Sequence, residues 1–396
     1  MGVDEKQIAG VSRRLRLGMV GGGPGAFIGA VHRMAARLDD RFELVAAALS
    51  SNPERSRDAA REMHIAPDRA YGGYEEMARS EKERSDRIDA VAIVTPNYLH
   101  CKIAQVFLDA GIHVICDKPL GTSVEEALEL AETVRRSGLV FGLTHNYSGY
   151  PLMRQARQMV ADGELGTIRV VQVEYAQDWL ATPLEKTGQK QAAWRTDPAQ
   201  NGPAGSLGDI GTHAFHIASF VTGLVCQEVA AELSTFVPGR RLDDNVQSLL
   251  RFSNGARGML WASQVATGNA NHLRLRVFGE KAGIEWQQEE PNNLRFMPLG
   301  KPPVTITRAG AGATEVAAHA SRLPAGHPEG YIEAFAQLYT DLAELIHAHG
   351  AGRKPSPASL LVPNVDDGVT GMKFISAVLA SSSQNGAWVK LDSQKN

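Results

Sequence analysis

The chain has 396 residues, a formal net charge of −3 and a hydrophobic content of 43%. That length exceeds what one hydrophobic core usually carries, so we expect two domains, and the charge gives no electrostatic case for nucleic acid or an anionic membrane as partner. No apolar run is long enough to cross a bilayer, and three cysteines without metal-like spacing favour a cytoplasmic protein with reduced thiols.

The first predicted element is a buried strand that ends in a glycine turn. Residues 15–20 are mostly apolar and lead into three consecutive glycines. A helix is predicted from about Ala26, because apolar residues recur at helical spacing: Phe27, Val31, Met34 and Leu38. Strand, turn and helix N-terminus together form a site for a pyrophosphate, which approaches free N–H groups at positions without a large side chain.

The glycine turn reads Gly21-x-Gly23-x-x-Ala26, the Gly/Ala variant of the dinucleotide-binding fingerprint. A glycine turn without any ligand would give the same local pattern. The cofactor contacts predicted in this stretch are Gly21, Gly23, Pro24, Gly25, Ala26 and Phe27.

The second strand, residues 42–49, ends in Ser50 and Ser51, which are also predicted to contact the cofactor. An NAD-selective site usually has Asp or Glu at this strand end. Arg55 and Arg57 follow one turn later and could reach a 2′-phosphate, although surface arginines on a helix are the commoner case. The expected cofactor is NAD, with NADP not excluded.

Three further buried strands each end in polar side chains. They are residues 89–94, 113–116 and 139–144, and they alternate with helices, which predicts a doubly wound parallel sheet of α/β class. Ligands bind at the carboxyl edge of such a sheet. The residues predicted there are Thr95, Pro96, Asn97 and His100, then Lys118, then Asn146 and Tyr147. Asn97 could instead cap the following helix.

The pattern changes after residue 150 to alternating strands and hairpin turns, which predict an α+β domain with a large, mostly antiparallel open sheet. Two long polar loops, residues 177–206 and 299–327, are candidate walls of a substrate pocket. The expected organisation is a tail over residues 1–14, a dinucleotide-binding domain over 15–147 and a substrate-binding and oligomerisation domain over 148–396. The final helix could pack back on the first domain.

The sequence from Gly205 to His216 contains the candidate chemistry. Asp209 and His213 are four residues apart and share a helix face, so the carboxylate could orient the ring. A histidine there could take the proton of a hydroxyl during hydride transfer, and Lys118 could stabilise the developing alkoxide. Three alternatives stay open: Asp209 caps the helix, His213 is an interior histidine, or Asp209, His213 and His216 hold a metal, for which no further ligand is evident.

Several motifs in order resemble the Gfo/Idh/MocA family of nicotinamide-dependent sugar and polyol dehydrogenases. They are VGGGPGAFIG, TPNYLH, DKPLG, HNY, WR and GDIGTH. The resemblance implies a Rossmann domain, a C-terminal domain whose open sheet forms a homodimer or homotetramer, and a catalytic Lys118–Asp209–His213 group. Many relatives have aspartate three residues after that histidine, where this chain has His216.

The resemblance also implies further contacts. Trp194 and Arg195 are similar to the family's loop near the nicotinamide and are predicted to touch the cofactor, as is Lys118. The predicted substrate contacts are Lys118, Tyr147, Trp194, Asp209, His213, His216 and His327. No resident metal is expected.

The leading functional hypothesis is an NAD(P)-dependent oxidoreductase acting on a secondary hydroxyl of a sugar, glycoside or inositol. A second hypothesis is a redox-neutral glycosidase, which oxidises the sugar transiently, eliminates the glycosidic group and returns the hydride. A third is a cofactor-binding regulator without catalysis, against which the intact Lys–Asp–His set argues.

Overall fold

The computed structural model describes residues 13–391, so most of the predicted tail lies outside the described residues. The N-terminal half is a five-stranded parallel sheet in the order β2-β1-β3-β4-β5, flanked by helices. Its strands are β1 (Leu15–Gly21), β2 (Phe42–Ala48), β3 (Ala90–Val94), β4 (His113–Cys116) and β5 (Phe141–Leu143). Its helices are α1 (Phe27–Leu38), α2 (Pro53–Glu62), α3 (Tyr74–Glu83), α4 (His100–Asp109) and α5 (Val124–Ser137). The predicted doubly wound Rossmann sheet is confirmed.

Helix α1 begins where predicted but buries a different face. Phe27 is 67% exposed, and Met34 and Leu38 are each 46% exposed, whereas the buried positions include Val31 and small residues. Small side chains let α1 lie close to its neighbours: a Cβ at Gly29 would come within 2.2 Å of the Gly22 carbonyl oxygen. Apolar spacing therefore identified the helix, while close backbone packing selected the buried side.

The C-terminal half contains a nine-stranded sheet in the order β13-β12-β11-β10-β6-β9-β8-β7-β14. Only β6 and β9 pair in parallel among these strands, so the predicted, mostly antiparallel sheet is confirmed. The strands are β6 (Ile168–Ala176), β7 (Cys226–Ser234), β8 (Asn245–Phe252), β9 (Arg257–Ser263), β10 (His272–Gly279), β11 (Ala282–Gln287), β12 (Asn293–Pro298), β13 (Val304–Thr307) and β14 (Val389–Lys390).

Helices cover one face of this large sheet and join it to the first half. Helices α9 and α12 pack on the sheet, and α6 packs on α9. Helix α11 packs on α1 of the first half, and α12 also packs on α5. The helices are α6 (Pro151–Ala161), α7 (Lys190–Arg195), α8 (Pro198–Asn201), α9 (Thr212–Thr222), α10 (Glu315–His319), α11 (Tyr331–Gly350) and α12 (Val365–Ser383). No helix within residues 13–391 is long and apolar enough to cross a membrane.

The two predicted loop walls have different outcomes. Residues 177–206 contain α7 and α8 and contribute to the large cleft between the halves. Residues 299–327 contain β13 and α10, and none of them lines that cleft, so this wall was predicted wrongly. Its Arg308 is buried and pairs with Glu329 at 2.9 Å, which holds the segment against the residues that precede α11.

Candidate active site

A cleft of about 1580 Å³ runs from the glycine turn to the large sheet. Single small-molecule sites usually occupy about 300–1,000 Å³, so this cleft has room for a dinucleotide and a second ligand. Its walls combine the carboxyl ends of β1, β3, β4 and β5 with residues from α7, α9 and the β10–β11 region. This is the edge at which open α/β sheets bind ligands.

The glycine turn provides the features that a pyrophosphate needs. Helix α1 has no side-chain cap and no acidic residue in its first turn, which leaves its N-terminal N–H groups available. Gly25 has φ +83°, and no atom lies within 4 Å of the place that a Cβ would take, so its backbone is open to the cleft. Pro24, Ala26 and Phe27 also line the cleft.

Gly29 is a contributor to this turn that sequence reasoning missed. Gly22 and Gly29 touch backbone to backbone, so Gly29 rather than Ala26 permits the close approach of helix and strand. The signal was present in the sequence as a further glycine within the first turn of α1.

Ser50 and Ser51, which follow β2, line the cleft together with Arg55 of α2. Arg57 lies outside the lining and pairs with Glu76 at 3.2 Å. Nearer the centre, two buried polar atoms have no hydrogen-bond partner within the described residues: the Thr95 hydroxyl oxygen and the Asn146 amide nitrogen. Buried polar groups are normally satisfied, so these atoms fit a polar ligand such as NAD in the cleft.

Some of the residues after β3 line the cleft, and others stabilise the loop. Thr95, Pro96 and Asn97 line the cleft, and the Asn97 amide also donates to the backbone carbonyl of Asn201 at 2.9 Å, with no cap of the next helix. His100 does not line the cleft, contrary to prediction. Both of its ring nitrogens contact backbone carbonyl oxygens, of Pro119 at 2.7 Å and of Thr95 at 2.9 Å, which anchors the loop instead.

Lys118 and Asp209 meet across the cleft although they are 91 positions apart. The Lys118 Nζ lies 3.0 Å from Asp209 Oδ1, while Asp209 Oδ2 accepts from Gln264 at 2.8 Å and lies 3.3 Å from Arg195 Nε. Burial alone would raise the pKa of the Asp209 carboxyl, but the charges of Lys118 and Arg195 outweigh it and hold the pKa below its ordinary value. Asp209 is therefore an ionised carboxylate with cations on both oxygens.

His213 lines the cleft beside this pair without being oriented by the carboxylate. Its Nδ1 has no hydrogen-bond partner within residues 13–391, since Asp209 is engaged by other groups. The ring instead packs edge-on against Tyr147 at 4.9 Å and His145 at 5.4 Å between centroids. Burial, reinforced by the positive charge of Lys118, lowers the pKa of His213 well below its usual value, so the ring is neutral at pH 7.

Two predicted substrate contacts lie elsewhere. His216 is buried outside the cleft lining and stacks on His145, with ring centroids 4.2 Å apart, because the helical turn aims it into the interior. His327 is exposed and also outside the lining, whereas Tyr331, four residues later, reaches the cleft. Within residues 13–391 no group of three His, Cys, Asp or Glu side chains is arranged to hold a metal.

Tyr147, Trp194 and Arg195 do line the cleft. Arg195 stacks on Trp194, with its guanidinium carbon 4.3 Å from the ring centroid. A polar cluster that sequence reasoning missed faces them. It consists of Tyr175, Gln177, Asn271 and Gln288.

In this cluster Asn271 Oδ1 accepts from the Tyr175 hydroxyl at 2.7 Å and from Gln177 at 2.6 Å, and Tyr147 hydrogen-bonds Tyr175. Gln177 Oε1 is buried without a partner among the described residues. Gln177 offered a sequence signal, because it begins the loop over residues 177–206 that was predicted to form a pocket wall.

Comparisons with known proteins agree with this geometry. Residues 15–145 match the oxidoreductase family with an NAD-binding Rossmann fold, and residues 153–285 match the GFO/IDH/MocA C-terminal domain. The N-terminal half is thus an NAD-binding domain.

Two proteins of solved structure and one further enzyme illustrate the similarity. An oxidoreductase from Sinorhizobium meliloti is 50% identical, with a TM-score of 0.87 over 96% of this chain and 100% of that one. An inositol dehydrogenase homologue from Azotobacter vinelandii, complexed with NAD+, is 36% identical with a TM-score of 0.91 over 96% and 98%, and was also solved with NADH and myo-inositol. Levoglucosan dehydrogenase of Pseudarthrobacter phenanthrenivorans is 30% identical over 72% of this chain and 76% of its own.

Proposed function

Because this chain belongs to the Gfo/Idh/MocA family of NAD-dependent oxidoreductases, we propose that it oxidises a secondary hydroxyl of an uncharged sugar, glycoside or polyol. The observation that carries the proposal is the meeting of Lys118, Asp209 and His213 in the cleft that also holds the glycine turn. The myo-inositol and levoglucosan named for its relatives support this substrate class.

In this proposal His213 takes the hydroxyl proton. Its lowered pKa keeps the ring neutral at pH 7, so a nitrogen lone pair is available as base. Lys118 donates to the reacting oxygen and stabilises the alkoxide that develops as the proton leaves. Asp209 holds Lys118 at 3.0 Å and balances its charge. Bound NAD+ supplies the acceptor for the hydride.

The neutral polar groups on one wall of the cleft favour an uncharged substrate. Lys118 and Arg195 both lie against the Asp209 carboxylate, and Lys190 is exposed on α7. Amide and phenol groups line the opposite wall, and the unpartnered Gln177 Oε1 is an acceptor for a hydroxyl. Such groups hydrogen-bond neutral hydroxyls, and an unpaired buried acceptor gains most from a new donor.

The test is a panel of myo-inositol, levoglucosan, simple glycosides and glucose 6-phosphate, with NADH absorbance and product identity recorded together. We expect NADH and ketone in equal amounts from a neutral compound. Their formation should be slower by about 10²-fold or more in His213→Ala and in Lys118→Met. Release of aglycone with only catalytic NAD would support the redox-neutral glycosidase instead. NAD binding without turnover of any compound would support the regulator.

We also propose that the open face of the large sheet joins two or four copies of the chain. Leu249, Met259 and Gln172 lie side by side across β8, β9 and β6, and the first two are about half exposed at 51% and 50%. Exposed apolar sheet faces of this kind usually mark an interface. Light scattering should report a dimer or tetramer that Met259→Glu weakens, and a wild-type monomer at micromolar concentration would contradict this.

A further inference from the structure

A buried histidine on the cofactor-binding helix lies behind the proposed catalytic lysine. His32 of α1 is fully buried, and its Nδ1 is 2.7 Å from the hydroxyl of Tyr339 on α11. Its Nε2 has no hydrogen-bond partner within residues 13–391 and lies 3.9 Å from Asp117 Oδ1. The ring thus sits between a phenol and a carboxylate, with one nitrogen facing each.

The tautomer of this ring follows from its partners. Burial, with a further contribution from the negative charge of Asp117, raises the pKa of Tyr339, so the phenol keeps its proton and can donate it to His32. When that hydroxyl donates to His32 Nδ1, the ring carries a proton on Nε2. That N–H then points towards Asp117, whereas the opposite tautomer would face the carboxylate with a lone pair.

Asp117 in turn fixes the backbone from which Lys118 projects. Its Oδ1 accepts from the Lys118 backbone N–H at 3.0 Å and from the Thr144 hydroxyl at 2.6 Å. Burial alone would raise the pKa of Asp117, but His32 and Lys118 reverse that and lower it, so the carboxylate stays ionised. A movement of Asp117 would therefore shift the lysine that contacts Asp209.

We propose that Tyr339 and His32 form a positioning chain that holds Asp117 and, through it, orients Lys118. The chain joins α11, α1 and the end of β4, so it links the helix of the glycine turn to the proposed catalytic group. Its functional consequence rests on the proposed role of Lys118. Neither His32 nor Tyr339 touches the cleft itself, since neither is among its lining residues.

The primary test needs no substrate. In full-length protein labelled with ¹⁵N-histidine, NMR should show His32 as the Nε2–H tautomer, and Tyr339→Phe should populate the other tautomer. In protein labelled at lysine Nζ and Cε, the Lys118 resonance should shift in His32→Leu and in Tyr339→Phe. It should return towards its wild-type position in His32→Gln, because the glutamine amide nitrogen occupies the place of Nε2.

Tyr71→Phe is the matched control, since it removes another buried hydroxyl, bonded to Glu81 at 2.8 Å, at a site outside the cleft lining. It should leave the Lys118 resonance unchanged. An unchanged Lys118 signal in both His32→Leu and Tyr339→Phe, or an equal shift in Tyr71→Phe, would overturn the proposal. If His32→Leu fails to fold, Tyr339→Phe and His32→Gln decide the outcome alone.

Turnover of the neutral compound oxidised in the panel separates this inference from the proposed function. Loss of an outer hydrogen-bond partner should lower kcat by about tenfold in Tyr339→Phe, with little change in KM. Full activity in Lys118→Met would refute the proposed function. An inactive Lys118→Met together with a wild-type Tyr339→Phe in both NMR and kcat would refute only the positioning chain.

Discussion

Replacing Lys118 by methionine tests the centre of the proposed site. The change keeps an unbranched side chain that is one atom shorter, and it removes the ammonium that contacts Asp209 Oδ1 at 3.0 Å. Turnover should fall by about 10²-fold or more, which corresponds to about 2.7 kcal/mol in the activation barrier. NAD affinity should stay close to wild type, because the pyrophosphate site is formed by backbone groups at the glycine turn.

The same variant makes a prediction about stability. Asp209 loses one charged hydrogen bond but keeps Gln264 at 2.8 Å and Arg195 at 3.3 Å. The cost at pH 7 should therefore be about 1–3 kcal/mol, below the roughly 3–5 kcal/mol expected when a buried charge loses its whole compensation.

The stability difference between wild type and Lys118→Met should depend on pH in a defined direction. Lys118 is one of the charges that lower the pKa of Asp209, so that carboxylate stabilises the fold above its unfolded pKa of 3.8 and loses this effect as pH falls. Without Lys118 the pKa of Asp209 rises, so Asp209 is protonated at a higher pH in the variant than in wild type. That protonation removes the charge that has lost its partner. The stability gap between wild type and variant should narrow as pH falls through 3.8.

Denaturant unfolding at pH 7 and at about pH 3.5 measures the stability gap above and below the ordinary pKa of a carboxyl group. Stopped-flow NADH formation measures turnover, and titration with NAD measures its affinity. The exposed Lys281→Met is the matched control. Wild-type turnover in Lys118→Met would refute the catalytic assignment. A stability gap that is constant with pH would refute the electrostatic account of Asp209.

The kcat/KM for oxidation should stay flat as pH falls to 6.5, because burial and Lys118 lower the pKa of His213; an acid limb with a midpoint at or above 6.5 would contradict a neutral buried base. Gly29→Ala should destabilise the protein by about 1–3 kcal/mol and weaken NAD binding, because its Cβ would meet the Gly22 carbonyl at 2.2 Å. Gly371→Ala on α12, where no atom lies within 4 Å, is the control and should be neutral or stabilising by up to about 1 kcal/mol. NAD should bind at least as well as NADP; a tenfold preference for NADP, about 1.4 kcal/mol, that Arg55→Ala abolishes would show that Arg55 binds the 2′-phosphate.

Local patterns in the sequence determined most of the elements. Strand β4 has the predicted bounds. Helix α5 begins with a local capping box, in which Ser123 accepts from the Glu126 backbone and Glu126 accepts from the Ser123 backbone. These features depend on neighbours a few residues away, so the chain order alone contains them. The parallel alternation also located the ligand edge, because every strand of such a sheet ends on the same side.

Packing between distant segments decided what the pattern could not. The buried face of α1 and the course of residues 299–327 depend on partners elsewhere in the chain, and so does the inward turn of His216. In each case the spacing was compatible with two environments. Which environment each segment takes in the folded chain depends on the neighbours that tertiary packing brings against it.

The site shows the same division between residue type and partner. The sequence identified Lys118, Asp209 and His213 as candidates, but its spacing suggested that Asp209 orients His213. In the folded chain that carboxylate is engaged by Lys118 and Gln264, which lie 91 and 55 positions away. A carboxylate binds the donors and charges that tertiary packing brings within reach, and sequence spacing along one helix cannot specify those.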